Sequence, residues 1–262
     1  MDPLLRDRVC IVSGAGPGLG RAVALSFARE GAKVAVACRT SAVAESLAEE
    51  LRGLGAQAIG VAMDLTKAED RDRVVTATLE RFGAIDVLVN NAFATGRTAP
   101  ITGADLGKAW RSAFEVNLFG TMQLSQAVLP AMSKRGGGSI VMVSTLAARK
   151  RQPGLAGYGA SKAALLAAAA SLAAEVGHLK IRVNSVVPSH IDGPNLRVYF
   201  KMEAERLGIT EDEVYRRVAA EGVMPHVPTS DEVAAAVTFF ASGMASAITG
   251  QSLDVNCGQW FH

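Results

Sequence analysis

The sequence predicts an α/β fold: a doubly wound parallel sheet in a single three-layer α/β/α domain spanning residues 1–262. Three observations predict it. Short β-branched runs alternate with longer helical ones along the chain. Several strand runs are apolar at consecutive positions, which means that both sheet faces are covered. A glycine-rich turn, residues 13–20, follows the first strand and opens the first helix. With 262 residues, 49% of them apolar, the chain has ample core for one large domain.

In order, RVCIVS (8–13) reads as a strand, 18–30 as a helix, KVAVAC (33–38) as a strand, 41–54 as a helix and QAIGVAM (57–63) as a strand. A helix at about 67–82, strand IDVLVN (85–90), helical stretches through 105–134 and strand SIVMVS (139–144) follow. A helix at 155–177 and strand KIRVNSVV (180–187) come next. Thr66 with Glu69, Thr210 with Glu213 and Thr229 with Glu232 have capping-box spacing, so helices are expected to start there. The rhythm breaks once, at 188–229, where amphipathic helical pieces are inserted before a helix from 230. Beside the carboxyl ends of the strands, such an insertion is either a lid over a ligand or a plain surface elaboration.

Composition excludes several classes of function. Formal net charge is +2, from 27 basic and 25 acidic side chains, and aromatics are 5% of residues. Neither the charge nor the aromatic content suits a nucleic-acid surface. Cys10, Cys38 and Cys257 are odd in number and far apart, which suggests a reducing compartment and neither disulfides nor zinc. His178, His190, His226 and His262 also lack metal-ligand spacing. The amino terminus, with Asp2, Arg6, Asp7 and Arg8, is unlike a signal peptide. The most apolar helical run, 163–174, is too short to span a bilayer. A cytoplasmic protein without membrane or nucleic-acid partners is the expectation.

The turn SGAGPGLG gives Gly14, Gly18 and Gly20 the spacing G-x-x-x-G-x-G, with Gly16 in addition. Glycines let the backbone approach a ligand, and the N–H groups at a helix start attract phosphate, so a dinucleotide pyrophosphate fits there. The second strand should end near the adenosine ribose, where an acid favours NAD and a base favours NADP. The chain reads Ala37-Cys38-Arg39-Thr40, so NADP(H) is favoured and NAD(H) stays open; Arg39 has the alternatives of stacking on adenine or facing water.

The segment 139–162 then reads as a buried strand, a loop with Ser144, and a helix with Tyr158 and Lys162 on one face. A positive charge beside a phenol lowers its pKa, so Tyr158 is a candidate to trade a proton with an alcohol or ketone oxygen that Ser144 holds. A surface tyrosine beside a solvated lysine is the plain alternative. Arg149-Lys150-Arg151, in the loop between, either meets an anionic substrate tail or is a solvated surface run.

Taken in order, Gly14-x-x-x-Gly18-x-Gly20, Asn90-Asn91-Ala92, Asn117, Ser144 and Tyr158-x-x-x-Lys162 make the chain resemble the short-chain dehydrogenase/reductase family in its single-domain form. The resemblance covers nearly the whole chain and implies a Rossmann-like fold and an NAD(P)-dependent exchange of hydride between nicotinamide and a ketone or secondary alcohol. It implies catalytic roles for Asn117, Ser144, Tyr158 and Lys162. It further implies a cofactor wall of Gly14, Gly16, Pro17, Gly18, Leu19, Gly20, Arg39, Asp64, Leu65, Asn90, Ala92, Lys162, Pro188 and Ile191. In that pattern Asp64 binds adenine, Asn117 holds a helix kink and a relay water, and Pro188–Ile191 flank the nicotinamide. Departures from the pattern include Phe93 where glycine is usual, Ser189 and His190 after Pro188, and Asp192 where threonine is common.

Two other readings compete: a catalytically silent nucleotide sensor or scaffold on the same fold, and an isomerase or dehydratase that uses nicotinamide transiently. The helix at 155–177 has almost no polar face, so it is expected to pack against a symmetry mate in a homodimer or, as the resemblance implies, a homotetramer; complete burial by the sheet and neighbouring helices of one chain is the alternative. Phe93, His190, Tyr199, Phe200 and Met202 suggest a partly apolar pocket for cyclic, steroid-like or acyl ketones.

Overall fold

The structure, a computed structural model, describes residues 3–103 and 105–261; Asp2 and His262 lie outside the described residues. Seven strands form one sheet: β1 (Val9–Ser13), β2 (Lys33–Cys38), β3 (Ala58–Ala62), β4 (Val87–Asn90), β5 (Gly138–Val143), β6 (Ile181–Pro188) and β7 (Ser252–Val255). Their order is β3-β2-β1-β4-β5-β6-β7 and every neighbouring pair is parallel. The chain starts at β1, winds outward to β3, and crosses back to β4. The reversal between β1 and β4 is the switch point at which such sheets open a crevice beyond the strand ends.

The helices are α1 (Leu19–Arg29), α2 (Ser41–Gly53), α3 (Ala68–Phe82), α4 (Leu106–Phe114), α5 (Thr121–Arg135), α6 (Ala156–Val176), α7 (Pro194–Leu207), α8 (Glu211–Ala219) and α9 (Ser230–Ala241). Alternate strand residues supply two cores, as the period of a strand requires. Cys10, Val12, Val34 and Val36 pack with α1, α2 and α9 on one face. Ile11, Ala35, Leu88 and Ile140 pack with α3, α5 and α6 on the other. The consecutive apolar positions of the strands are thus accounted for by two covered faces.

Helix α6 is long and apolar enough, by length and composition, to cross a bilayer when its following turn is counted. That corrects the short-run expectation from 163–174. In this fold the helix lies against the sheet, with Leu165, Ala169 and Leu172 in the core, and carries the buried Lys162.

Three further differences from the expected elements have physical causes. Strand β7 was not anticipated, because it is only four residues long and Ser252 and Leu253 are exposed, so no buried run marks it. Thr66 does not cap α3: its backbone N–H and hydroxyl both donate to Asp64 Oδ1, at 3.0 and 2.7 Å, and the helix begins two residues later. A local side-chain turn has won over the cap. At Thr229 both halves of the capping box form, whereas Thr210 accepts from Glu213 N and Glu213 itself turns to Arg217. Third, the helical stretch through 105–134 is two α-helices joined by a π-helical segment, Glu115–Gly120.

The inserted region carries α7 and α8 and a small core of its own, with Phe200, Ala204, Val214 and Val218 at its centre.

Candidate functional site

A cleft of about 1320 Å³ runs along the carboxyl ends of the strands, from the glycine turn to the inserted helices. It exceeds the ~300–1,000 Å³ of an ordinary small-ligand pocket. Gly14, Gly16, Pro17, Gly18, Leu19 and Gly20 all line it. Gly14, at φ +71°, is closed in by the backbone of Ala92, which a Cβ would strike. By contrast, Cβ atoms at Gly16 and Gly18 would meet nothing within 4 Å, so side chains there would occupy a space that the turn holds open. Gly18, the N-cap of α1 at φ 95°, provides no side-chain cap, and the first turn of that helix has no acidic residue. Arg21 N–H in that turn donates to Gly16 O at 3.1 Å, and no loop partner takes the Leu19 or Gly20 N–H among the described residues, which is the chemistry of a phosphate cradle. These residues fit a dinucleotide.

Further along the cleft, Arg39, Asp64, Leu65, Ala92, Pro188 and Ile191 stand on its wall as expected. Arg39 is exposed just past the end of β2. The two bonds from Thr66 hold the Asp64 carboxyl below its usual range. Asn90 does not reach the cleft with its side chain: it is buried, and its Nδ2 donates to Ser125 Oγ at 2.9 Å on the α5 side. The neighbour does reach it. Asn91 lines the cleft and donates from Nδ2 to Gly14 O at 2.8 Å, tying the glycine turn to the end of β4. Asp192 is held by Arg197 at 2.9 and 2.7 Å and is not among the residues that line the cleft.

Tyr158 and Lys162 lie on the first turns of α6 and both line the cleft. Two glycines permit that placement. A Cβ on Gly157 would come within 2.6 Å of the Trp110 ring, and one on Gly159 within 2.7 Å of Ala147 O. The start of α6 therefore sits closer to α4 and to the loop after β5 than other residues allow. Phe93 packs at a tilt on the phenol, with centroids 6.3 Å apart.

The hydroxyl that meets Tyr158 is Thr145's and not Ser144's. Ser144 is buried and its Oγ donates to Lys162 O at 3.3 Å, while Lys162 Nζ donates to Val143 O at 2.7 Å. Consecutive residues at a strand end point to opposite sides, so the two hydroxyls have separate tasks. Asn117 sits in the π-helical segment and accordingly marks a break in the helix, as expected. Its carboxamide grips Ala94 through both ends, at 2.8 Å each, and donates to Ser161 Oγ at 2.9 Å, which in turn donates to Tyr158 O. It positions the Tyr158 turn and the Ala94 loop, and its side chain makes no bond to Lys162.

Electrostatics also differ from the expected acidified phenol. Burial pushes Tyr158 up to about 12, with the Thr145 bond pulling weakly the other way. Burial likewise brings Lys162 down to about 7. Desolvation disfavours both charged forms and outweighs any effect of the amine on the phenol.

The basic run after Ser144 is paired within the chain, with Arg149 largely covered and Lys150 and Arg151 at the surface. Arg149 pairs with Asp254 at 3.0 Å, Lys150 with Glu221 at 2.9 Å, and Arg151 donates to Ala148 O. Of the expected pocket residues, Phe93, His190 and Tyr199 line the cleft, whereas Phe200 is buried in the inserted core and Met202 faces outward.

A parallel sheet with an open glycine cradle and a paired phenol and lysine at its carboxyl edge defines a dinucleotide-binding α/β protein of the oxidoreductase type. The comparisons with known proteins narrow the class. The family model described as short chain dehydrogenase matches residues 8–204. "Dehydrogenase/reductase SDR family member 4" of Bos taurus is 33% identical over 261 residues, covering 98% of this chain and 89% of that protein. The 7alpha-hydroxysteroid dehydrogenase of Escherichia coli is 31% identical over 259 residues, covering 98% and 96%. L-Sorbose reductase from Gluconobacter frateurii, solved with NADPH and L-sorbose, superposes with a TM-score of 0.93 at 30% identity, covering 99% and 98%. The chain belongs to the short-chain dehydrogenase/reductase family. It is an oxidoreductase of the nicotinamide-dependent kind that this family comprises.

The buried lysine gives stability a pH dependence of known sign. Its folded pKa, about 7, lies below its ordinary 10.5. Below pH 7 both states carry the proton and the native state bears the full cost of a buried charge. Between the two values the unfolded chain binds a proton that the native one has released, so stability rises with pH across that window. We expect Lys162→Met to be favoured over the wild type most below neutrality, with its advantage shrinking by about pH 9. Denaturant unfolding of both proteins at the two pH values measures it, and a pH-independent difference would contradict the assignment.

Proposed function

We propose that this chain reduces a ketone to a secondary alcohol with NADPH, with Tyr158 as proton donor and Thr145 as the second hydroxyl on the reacting oxygen. The observation that carries the reading is the Tyr158–Thr145 pair in a cleft that ends at an open glycine cradle. Gly14, Gly16, Gly18 and Gly20 with the start of α1 would hold the pyrophosphate, and Asp64 and Leu65 the adenine end. Bound there, the nicotinamide supplies the hydride that the substrate carbon accepts.

The chain's own part is positioning and the proton. Thr145 and Tyr158 offer two hydroxyls to one carbonyl oxygen, and negative charge developing on that oxygen strengthens both bonds. Tyr158 then gives up its proton. A phenol held near 12 stays protonated through the neutral range, so the acid is loaded whenever a ketone arrives. Lys162, poised near neutrality on the next turn, provides the positive charge that a phenolate needs. Ser144 and Asn117 act through position: the first fastens Lys162's backbone, the second the Tyr158 turn.

The preference for NADPH rests on Arg39, exposed on the cleft wall where an acid would favour NAD. The NADPH-bound sorbose reductase is consistent with it. We also propose that two copies pack through α6. Its outer stripe exposes Ala167, Ala170 and Ala174, and beside it Leu106, Trp110, Phe114 and Phe119 line an apolar groove.

Tyr158→Phe should abolish nearly all ketone-dependent oxidation of NADPH while cofactor affinity stays within about threefold. Thr145→Val should lower kcat by about 10²-fold, as removal of one oxyanion donor does. Full turnover in Tyr158→Phe sinks the reading. Arg39→Ala should raise the NADPH dissociation constant by about 10–100-fold, the worth of a charge-assisted bond, and leave NADH nearly unchanged. An equal effect on both cofactors would assign Arg39 elsewhere. By sedimentation, the wild type should run at two or four times 27.3 kDa, and Phe119→Asp closer to one. A wild-type monomer at micromolar concentration would rule out the interface.

A further inference from the structure

The cleft wall changes character where the inserted helices meet the sheet. His190 follows β6 by two residues, and its ring stacks on Tyr199 of α7 with centroids 6.3 Å apart and planes 10° apart. Glu221, just past α8, lines the same wall and is held by Lys150 at 2.9 Å. The two charges cancel, so this end of the cleft presents polar groups without net charge. Burial holds the imidazole below its ordinary pKa, with Glu221 opposing and Lys150 assisting, and the ring is neutral at physiological pH.

A neutral imidazole has one N–H to place. Nδ1 is buried and, among the described residues, has no partner in either tautomer, so only Nε2 can meet a ligand. No side chain or backbone group among the described residues takes Nε2 as a partner, so a proton on that nitrogen meets no competing acceptor in the protein. His190 lines the cleft, so the N–H is left for whatever enters it.

We propose that His190 is a specificity-determining residue whose Nε2–H binds a second, non-reacting oxygen of the substrate, so that the enzyme selects ketones bearing a hydroxyl or a second carbonyl over bare hydrocarbon ketones. The inference rests on the ketone-reductase reading above. Stacking on Tyr199 fixes the plane of the ring, and hence the direction of the donor. The closed Lys150–Glu221 pair keeps a charged group from taking the donor's place. A substrate without the second oxygen leaves the N–H desolvated and unpaired, and that penalty produces the discrimination.

The test compares kcat/KM for matched pairs, hydroxyacetone with acetone and acetoin with butanone, in the wild type, His190→Phe and His190→Asn. The wild type should prefer the oxygenated member by about 10-fold, the worth of one neutral hydrogen bond. His190→Phe, which retains a ring to stack on Tyr199, should lose that preference. His190→Asn, which restores an N–H donor, should recover part of it. A purely structural role would lower both members together and leave the ratio intact. An even-handed wild type, or an unchanged ratio in His190→Phe, overturns the proposal while ketone turnover leaves the reductase reading standing. Should His190→Phe fail to fold, the wild-type ratio and His190→Asn still decide. Equilibrium binding of acetoin and butanone to the wild type, followed by ligand-observed NMR, gives the same comparison without turnover; equal affinities count against the proposal. Absence of turnover on every ketone with either cofactor overturns both.

Discussion

A reciprocal lock between the end of β5 and the first turns of α6 governs the site. Lys162 is 2% exposed, and a primary amine so deeply placed is tolerable only with a partner. It finds one in Val143 O, while Ser144 Oγ returns a bond to Lys162 O. The two bonds run in opposite directions between the same two segments, so neither can slide without losing both. With the strand end and the helix joined, Thr145 is left facing the phenol and the cleft. Gly157 and Gly159 complete the arrangement by removing the side chains that would hold α6 away from Trp110 and Ala147.

Much of the fold was legible because burial on both faces of a parallel sheet writes continuous apolar runs, as in β1, β2 and β5. The boundaries of β2 agree to the residue. What failed to show was either too short and exposed, as in β7, or decided by a competition that spacing does not express, as when Asp64 captured Thr66. The site was legible as a set of residues and misread by single steps. Ser144 and Thr145 are adjacent hydroxyls, and Asn90 and Asn91 adjacent amides. Asn90 turns into the packed layer and Asn91 to the cleft, while Ser144 and Thr145 both border the cleft and differ in partner, Lys162 O for the first and the phenol for the second. A sequence reports both residues but not which way the last pleat turns. The phenol's pKa was misjudged for a different reason: the depth of burial, which dominates it, is a property of the whole molecule.

Charge here serves architecture more than recognition. The run Arg149-Lys150-Arg151 ties the loop after β5 to β7 through Asp254 and to the segment past α8 through Glu221. Two of the three basic residues thus become struts, while Arg151 bonds within its own loop.

The inserted helices α7 and α8 gather their apolar residues around Phe200, Val214 and Val218, apart from the two layers that clothe the sheet. These residues pack chiefly on one another. Drift within residues 194–219 can reshape the entrance while the hydride-handling apparatus stays intact, and the two traits are free to diverge at different rates.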